Sequence, residues 1–363
     1  MSSDGRSIGS IAPNSQGIPS PSFSVILHTF EHRGFLEPTL HSILTQDFDC
    51  DRIELIIVDS SIGALEANRE LLTKLSERVR LRMIKPCTRE FGPARKIGLT
   101  AASNSIVTFL DDDDVWEKDR LSRIAQVYMT HPGLGYYHNR CSYIDDRGVA
   151  IPESIARRRL RHFSLTSQSK PIYFQGERIP FAIKGIGKFG PDFNTSSIAI
   201  SSSVARKCIE LFDRVSAHDD TVYFSVAMKL ETGIFLDSHR LTRYRIHASN
   251  RSRPIDWRYS SKDIQAAVGS VSFLLSALNP APKSFLEKYL RREQRYLSVL
   301  SDAMSINRQR FVVMRNLCAL VPVITFYDPI MNTLALCLGL SYLCFPITAS
   351  SKLVRRSGVF HAG

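Results

Sequence analysis

The sequence lacks any Cys-x-x-Cys pair. Its seven cysteines, at Cys50, Cys87, Cys141, Cys208, Cys318, Cys337 and Cys344, are scattered, which argues against a disulfide framework and a cysteine zinc site and for a reducing compartment. A P-loop signature is also absent. After Asp111 there is neither the turn glycine nor the closing glutamate of a calcium loop. No internal repeat is found. Residues 1–21 are rich in Ser, Gly, Pro and Asn without an apolar core, so they are expected to form a disordered tail and not a secretory leader. The chain is short of acidic charge, with 35 Asp and Glu against 47 Lys and Arg and a net charge of +12. Anionic partners follow, whether nucleotides, phospholipid surfaces or nucleic acid. Aromatic interleaving and recognised nucleic-acid modules are missing, so nucleic acid is not expected.

What is present is enough for a packed core: 363 residues, 44% of them hydrophobic, suit one large domain or two. The stretch Ile106–Trp116 stands out. Five apolar or β-branched residues lead into Asp111, Asp112, Asp113 and Asp114, the pattern of a buried parallel strand that delivers carboxylates to a sheet edge. Such a cluster is either a solvated acidic loop or helix start, or a site for a hard cation such as Mg²⁺ or Mn²⁺ with a diphosphate ligand.

The surrounding chain alternates strand and helix. Phe23–Leu27 precedes a helix with Leu36, Leu40, Ile43 and Leu44 on one face; Ile53–Val58 precedes another with Leu65, Leu71, Leu72 and Leu75. Val79, Leu81 and Met83 alternate with arginines as in a strand near a sheet edge. Gly92-Pro93 then opens a helix leading to the acidic strand. This order implies a mostly parallel sheet covered on both faces, with Thr29, Asp59 and Asp111 to Asp114 at the strands' carboxyl ends. Beyond a strand at Gly135–Ile144, residues 151 to 193 read as a basic irregular insertion containing Arg157, Arg158 and Arg159. A helix capped by Ser202 or Ser203 follows, then a helix from His218-Asp219-Asp220, two short strands at Ile234–Leu236 and Leu241–Ile246, and helices over 262–278 and 284–304.

These residues resemble the family 2 glycosyltransferases of the GT-A fold. The resemblance covers about Phe23 to Arg253. It is carried by Ser24 to Asp47, Glu54 to Ser60, Gly92 to Gly98 and Phe109 to Asp114, and more weakly by His218 to Asp220 with Tyr244 to Asn250. It implies a Rossmann-like, mostly parallel sheet flanked by helices, with an α-helical C-terminal extension. It also implies inverting transfer of a sugar from a nucleotide-sugar donor, with Mn²⁺ or Mg²⁺, to a glycan or lipid-linked acceptor. Among the residues matched, Thr29, Glu31, Asp59, Arg95 and Asp111 fall on donor-binding positions, Asp113 and His247 on metal positions, and Asp220 on the base, with Asp219 and Asp114 supporting. Bland alternatives stand beside these: Asp219 or Asp220 as a helix cap, His247 as a surface residue, Arg95 as a helix-surface arginine. Two departures are plain. Asp59 is followed by Ser60-Ser61 where the family has a second acidic residue and Gly, and Lys96 replaces the usual Asn. Asp112 is expected to tolerate substitution best.

The resemblance divides the chain into a tail at 1–21, the GT-A domain at 22–253, a helical extension at 254–308 and an apolar segment at 309–363. Pro329 to Ala349 has no charged residue and is long enough to cross a membrane, though a pair of buried core helices fits the same composition. Lys352, Arg355 and Arg356 follow it, so the protein is expected at the cytoplasmic face of a membrane. The basic insertion is expected to border the acceptor site. Two other readings remain: a nucleotidyltransferase acting on sugar phosphates, which would want a Gly-rich basic loop after the first strand, and a non-catalytic nucleotide- or anion-binding protein.

Overall fold

The computed structural model describes residues 21–30, 34–87, 90–160, 170–176, 178, 191–247, 250 and 261–304. The expected tail (Pro21 apart), Glu31 and the apolar segment from 309 onward lie outside them. Among the described residues the strands are β1 (Phe23–Thr29), β2 (Ile53–Asp59), β3 (Arg80–Ile84), β4 (Ile106–Asp111), β5 (Val115–Trp116), β6 (Leu134–Ile144), β7 (Ala150–Ile151), β8 (Ile172–Gln175), β9 (Ile198–Ser201) and β10 (Gly233–Arg245). The helices are α1 (Leu36–Leu44), α2 (Arg69–Ser76), α3 (Phe91–Ala101), α4 (Arg120–Thr130), α5 (Glu153–Leu160), α6 (Ser202–Ile209), α7 (Asp219–Lys229), α8 (Ser261–Leu278) and α9 (Phe285–Met304).

One sheet runs β3-β2-β1-β4-β9-β6-β10-β5, with β7 against β6 and β8 against β10. Strands β3, β2, β1 and β4 are mutually parallel, as are β6 and β10, while β9 runs antiparallel between β4 and β6. Period-two alternation sends side chains to opposite faces. Ile26, Ile56, Val107 and Phe109 pack with α3, α6, α7, α8 and α9 on one side. Val25, Leu27, Leu55, Ile57 and Leu110 pack with α1, α2 and α4 on the other. The register pairs Thr29 with Asp59 and His28 with Asp111, which brings three strand ends into one row.

Three sequence expectations change. The two short strands expected at 234–236 and 241–246 are a single strand, β10, whose register with β6 shifts between Asp237 and Arg240, an irregularity that hydrophobic periodicity shows as a break. The described part of the insertion holds regular elements that its Gly and Pro content did not suggest. Arg157, Arg158 and Arg159 belong to α5, and β8 pairs with β10. Helix α6 is capped by Ser201, whose side chain accepts from Val204 N at 3.4 Å.

Parallel packing places a carboxylate inside β2. Glu54 accepts from Ser24 Oγ at 2.7 Å, from Ser103 N and Oγ at 3.1 and 2.9 Å, and from Arg80. Burial alone would raise its pKa, but Arg80, Ser24 and Ser103 outweigh it and hold Glu54 at about 2. Glu54 thus ties together β1, β2, β3 and the segment after α3. Because the folded-state pKa lies below the ordinary 4.5, this contribution is complete above about pH 4.5 and is lost as pH falls through about 2. Urea unfolding between pH 2 and 7 should show that loss, and Glu54→Gln should cost about 2 kcal/mol at neutral pH while flattening the acid dependence.

Glycine lets α3 lie close on the sheet. A Cβ at Gly98 would sit 2.6 Å from Ile26 Cγ2, whereas one on Gly269 in α8 would meet nothing within 4 Å. Gly98→Ala is therefore expected to destabilise by about 1–3 kcal/mol and Gly269→Ala to stabilise by about 0.5–1 kcal/mol, both measured by thermal unfolding.

Candidate active site

The site is built at the carboxyl end of β4. The chain turns back at once there, with Asp114 N donating to Asp111 O at 3.2 Å and β5 leaving antiparallel to β10. The turn sends its four carboxylates in different directions. Asp112 is only 5% exposed and its Oδ2 accepts from Phe30 N at 2.8 Å, which closes the end of β1. The expectation that Asp112 is the most replaceable of the four is thus corrected: its side chain points into structure, and it has a backbone amide to satisfy. Asp114, 1% exposed, accepts from Arg245 N at 3.0 Å and fixes the end of β10.

Asp113 meets His247, with Nε2 to Oδ2 at 2.9 Å. The His247 side chain is 4% exposed, so the surface alternative is excluded. Its ring lies 4.8 Å from that of Phe35, and the Arg245 guanidinium lies over the same Phe35 ring, 4.6 Å from its centre. Asn250 closes the turn, accepting from His247 N at 2.5 Å and donating to Arg245 O at 2.8 Å. Burial first, and then the charge of Asp111, push the Asp113 carboxyl up, with Arg245 opposing. Asp114 is raised by burial and then by Asp113 and Asp111. Carboxylates packed in this way resist carrying full charge together unless a cation joins them.

On the neighbouring strands Thr29 Oγ1 donates to Asp59 Oδ1 at 2.6 Å, and Ser61 adds its N and Oγ at 3.1 and 2.5 Å. The serine that departs from the family pattern therefore orients Asp59 directly.

Arg95 is the side chain that joins the halves of the site. It is 2% exposed, so it is no surface arginine, and it donates from Nη2 to Asp111 Oδ1 at 2.6 Å and from Nε to Asp219 Oδ2 at 2.9 Å. Burial works against its charge, but Asp111 and Asp219 more than offset this and raise its pKa further. Nη1 is buried without a hydrogen-bond partner. Its helix gets close enough because Gly92, one turn earlier on the same face, would place a Cβ 2.0 Å from Val215 O. Lys96, by contrast, turns outward to Asp213 at 2.6 Å.

Asp219 and Asp220 open α7 after His218, a non-glycine residue at φ +56°. Neither is the cap residue of that helix. Asp220 is half-buried. Burial, then Asp192 and Asp219, push its carboxyl well up, which suits a group that must accept a proton. Asp192 was not legible as a site residue: it sits in a loop after Gly190-Pro191, and only folding brings it to Thr221, whose Oγ1 donates to it at 2.8 Å. Among the described residues no three His, Cys, Asp or Glu side chains are gathered to hold a metal ion by themselves.

Residues 24–185 match the model of Glycosyl transferase family 2. It is 32% identical over 118 residues to an uncharacterised glycosyltransferase of Nostoc sp., covering 32% of this chain and 35% of that one. A GalNAc(5)-diNAcBac-PP-undecaprenol β-1,3-glucosyltransferase of Campylobacter jejuni is 32% identical over 119 residues, again 32% of this chain and 37% of the other. The chain thus spans little more than a third of the length of these relatives. The crystal structure of Staphylococcus aureus TarS residues 1–349 shares the fold, with a TM-score of 0.56 at 14% identity over 88% of this chain and 91% of that one. TarS has also been crystallised with UDP-GlcNAc.

Arg95→Met should cost about 3 kcal/mol at neutral pH, because two half-buried carboxylates lose their shared, buried cation. Urea unfolding of the variant at pH 7.5 measures it.

Proposed function

We propose that the chain is an inverting, metal-dependent glycosyltransferase moving a sugar from a nucleoside-diphosphate sugar to an acceptor hydroxyl or lipid phosphate. The observation that carries this reading is the Arg95 bridge. One buried guanidinium holds Asp111, on the donor side, against Asp219, beside the candidate base. The match to Glycosyl transferase family 2 and the fold shared with TarS support it.

In this reading Thr29 and Ser61 hold Asp59 for the nucleobase, Asp111 serves the ribose side, and the unbonded Nη1 of Arg95 is available to a donor phosphate. Asp220 takes the proton of the acceptor hydroxyl as that oxygen bonds the anomeric carbon; the bond to the diphosphate breaks on the opposite face, and its electron pair leaves with the nucleoside diphosphate. The oxygen and imidazole donors of Asp113 and His247 fit Mn²⁺ or Mg²⁺, and these two side chains would hold the ion together with the donor's diphosphate. The ion would neutralise charge on the departing diphosphate.

The undecaprenol-linked substrate in the name of the Campylobacter relative supports a lipid-linked acceptor. Among the described residues no helix is long and apolar enough to cross a membrane. Attachment at the cytoplasmic face would fall to the apolar segment from 309 onward, and extraction of the intact protein by salt without detergent would argue against insertion.

The test is a panel of UDP-GlcNAc, UDP-glucose and GDP-mannose, titrated calorimetrically with and without Mn²⁺. Binding of at least one should require Mn²⁺, fall at least tenfold in Asp113→Ala, and tighten from pH 6 to 8, because the raised Asp113 carboxyl must lose its proton to bind metal. Binding of none, or binding indifferent to metal and to Asp113, overturns the proposal.

A further inference from the structure

Helices α8 and α9 lie beyond the segment matched by the family model. They pack on α7 through Val271, Leu274, Leu286 and Leu290, and two of their polar side chains reach the loops on either side of Asp220. Ser270 Oγ, in α8, accepts from Ser216 N at 3.2 Å and Ala217 N at 3.3 Å, fixing the loop that ends at His218. Tyr289, in α9, donates its hydroxyl to Asp192 Oδ2, the same oxygen that accepts from Thr221 Oγ1 at 2.8 Å. The Asp192 loop is held from other directions too. Tyr136 in β6 donates to Pro191 O, His138 Nε2 contacts Phe193 O at 2.6 Å, and Asn194 adopts φ +64° while accepting from Ser196 N at 3.1 Å. A non-glycine residue held in that conformation marks a loop whose surroundings over-determine it.

We infer that Asp192, held by Tyr289 and Thr221, is a positioning residue for Asp220, and that through Tyr289 the C-terminal helical pair is part of the catalytic apparatus. The inference rests on Asp220 being the base. A negative charge at Asp192 disfavours a second one on Asp220 and so makes Asp220 hold a proton more strongly. Among charged neighbours, Asp192 is the leading contributor to the raised Asp220 carboxyl, followed by Asp219 on its own helix and Asp111 from β4. From β6 the buried Tyr136 hydroxyl faces both Asp192 and Asp220. Arg95 compensates Asp111 and Asp219, while on α9 Arg292 and Glu293 stand around Tyr289 and Asp192. Removing the Tyr289 hydroxyl takes away one of the two side-chain hydrogen bonds that hold Asp192 in place beside α7, which weakens Asp220 as a proton acceptor without touching the donor side.

Aspartate ¹³Cγ labelling of the full chain follows the titration of Asp220, with its resonance assigned by its loss in Asp220→Asn. Two variants are read. Tyr289→Phe keeps the ring on Phe224 and Phe285, and Asp192→Asn keeps an oxygen for Tyr289 and Thr221. Asp192→Asn should lower the Asp220 midpoint by about one pH unit and Tyr289→Phe by about half as much, with Mn²⁺ binding unchanged in both. A midpoint within about 0.3 unit of wild type in both overturns the inference, since a merely structural tie would not move it. Release of nucleoside diphosphate from UDP-GlcNAc, UDP-glucose and GDP-mannose separates the underlying reading: if Asp220→Asn matches the wild type while the midpoints move as expected, it is the assignment of the base that fails.

Discussion

One buried guanidinium holds the site together. Arg95 satisfies Asp111 at the end of β4 and Asp219 at the start of α7, so a helix laid across one face of the sheet sets the distance between the acidic strand end and the first turn of α7. A lysine could not do this, because a point charge lacks the planar fork that serves two carboxylates in fixed directions. The glycines at 92 and 98 follow from the same requirement, since any side chain there would lift the helix and withdraw the arginine from its partners.

The acidic turn poses the opposite problem, and the fold answers it locally. Asp112 and Asp114 are given backbone amides from β1 and β10, Asp113 is given an imidazole, and Arg245 spans the rest through Asp113 O at 2.8 Å and Asp145 O at 3.0 Å. Two of the carboxylates therefore act as joints of the framework, while Asp111 turns to Arg95 and Asp113 to His247. The overall excess of basic residues plays little part in this. The charges that matter here lie within hydrogen-bond reach, and distant surface charges are screened within about 10 Å.

Much of this was legible in the sequence because it is carried by local patterns. Apolar runs followed by turn residues gave β1, β2 and β4, and their parallel pairing follows from the helices between them, so the row Thr29, Asp59, Asp111 could be placed without coordinates. What could not be read is what depends on contacts distant along the chain. Nothing local distinguishes Asp112 as a buried acceptor for Phe30 N, or Asp192 as a neighbour of Asp220. The helical arginine Arg95 offers a surface reading that only burial excludes. Similarly, the register shift inside β10 looks like a strand break when only hydrophobic periodicity is available.

The bonds that complete the site span long separations: 124 residues from Arg95 to Asp219, 131 from Asp114 to Arg245 and 134 from Asp113 to His247. Loop closure must precede every one of them. During synthesis the acidic strand end consequently emerges well before its last partners, and for that interval Arg95 is the only one of these cations already made. A nascent chain halted before α7 would carry the whole segment matched by the family model yet lack Asp219, Asp220, Arg245 and His247, so the constellation around the end of β4 is completed only by residues beyond 218.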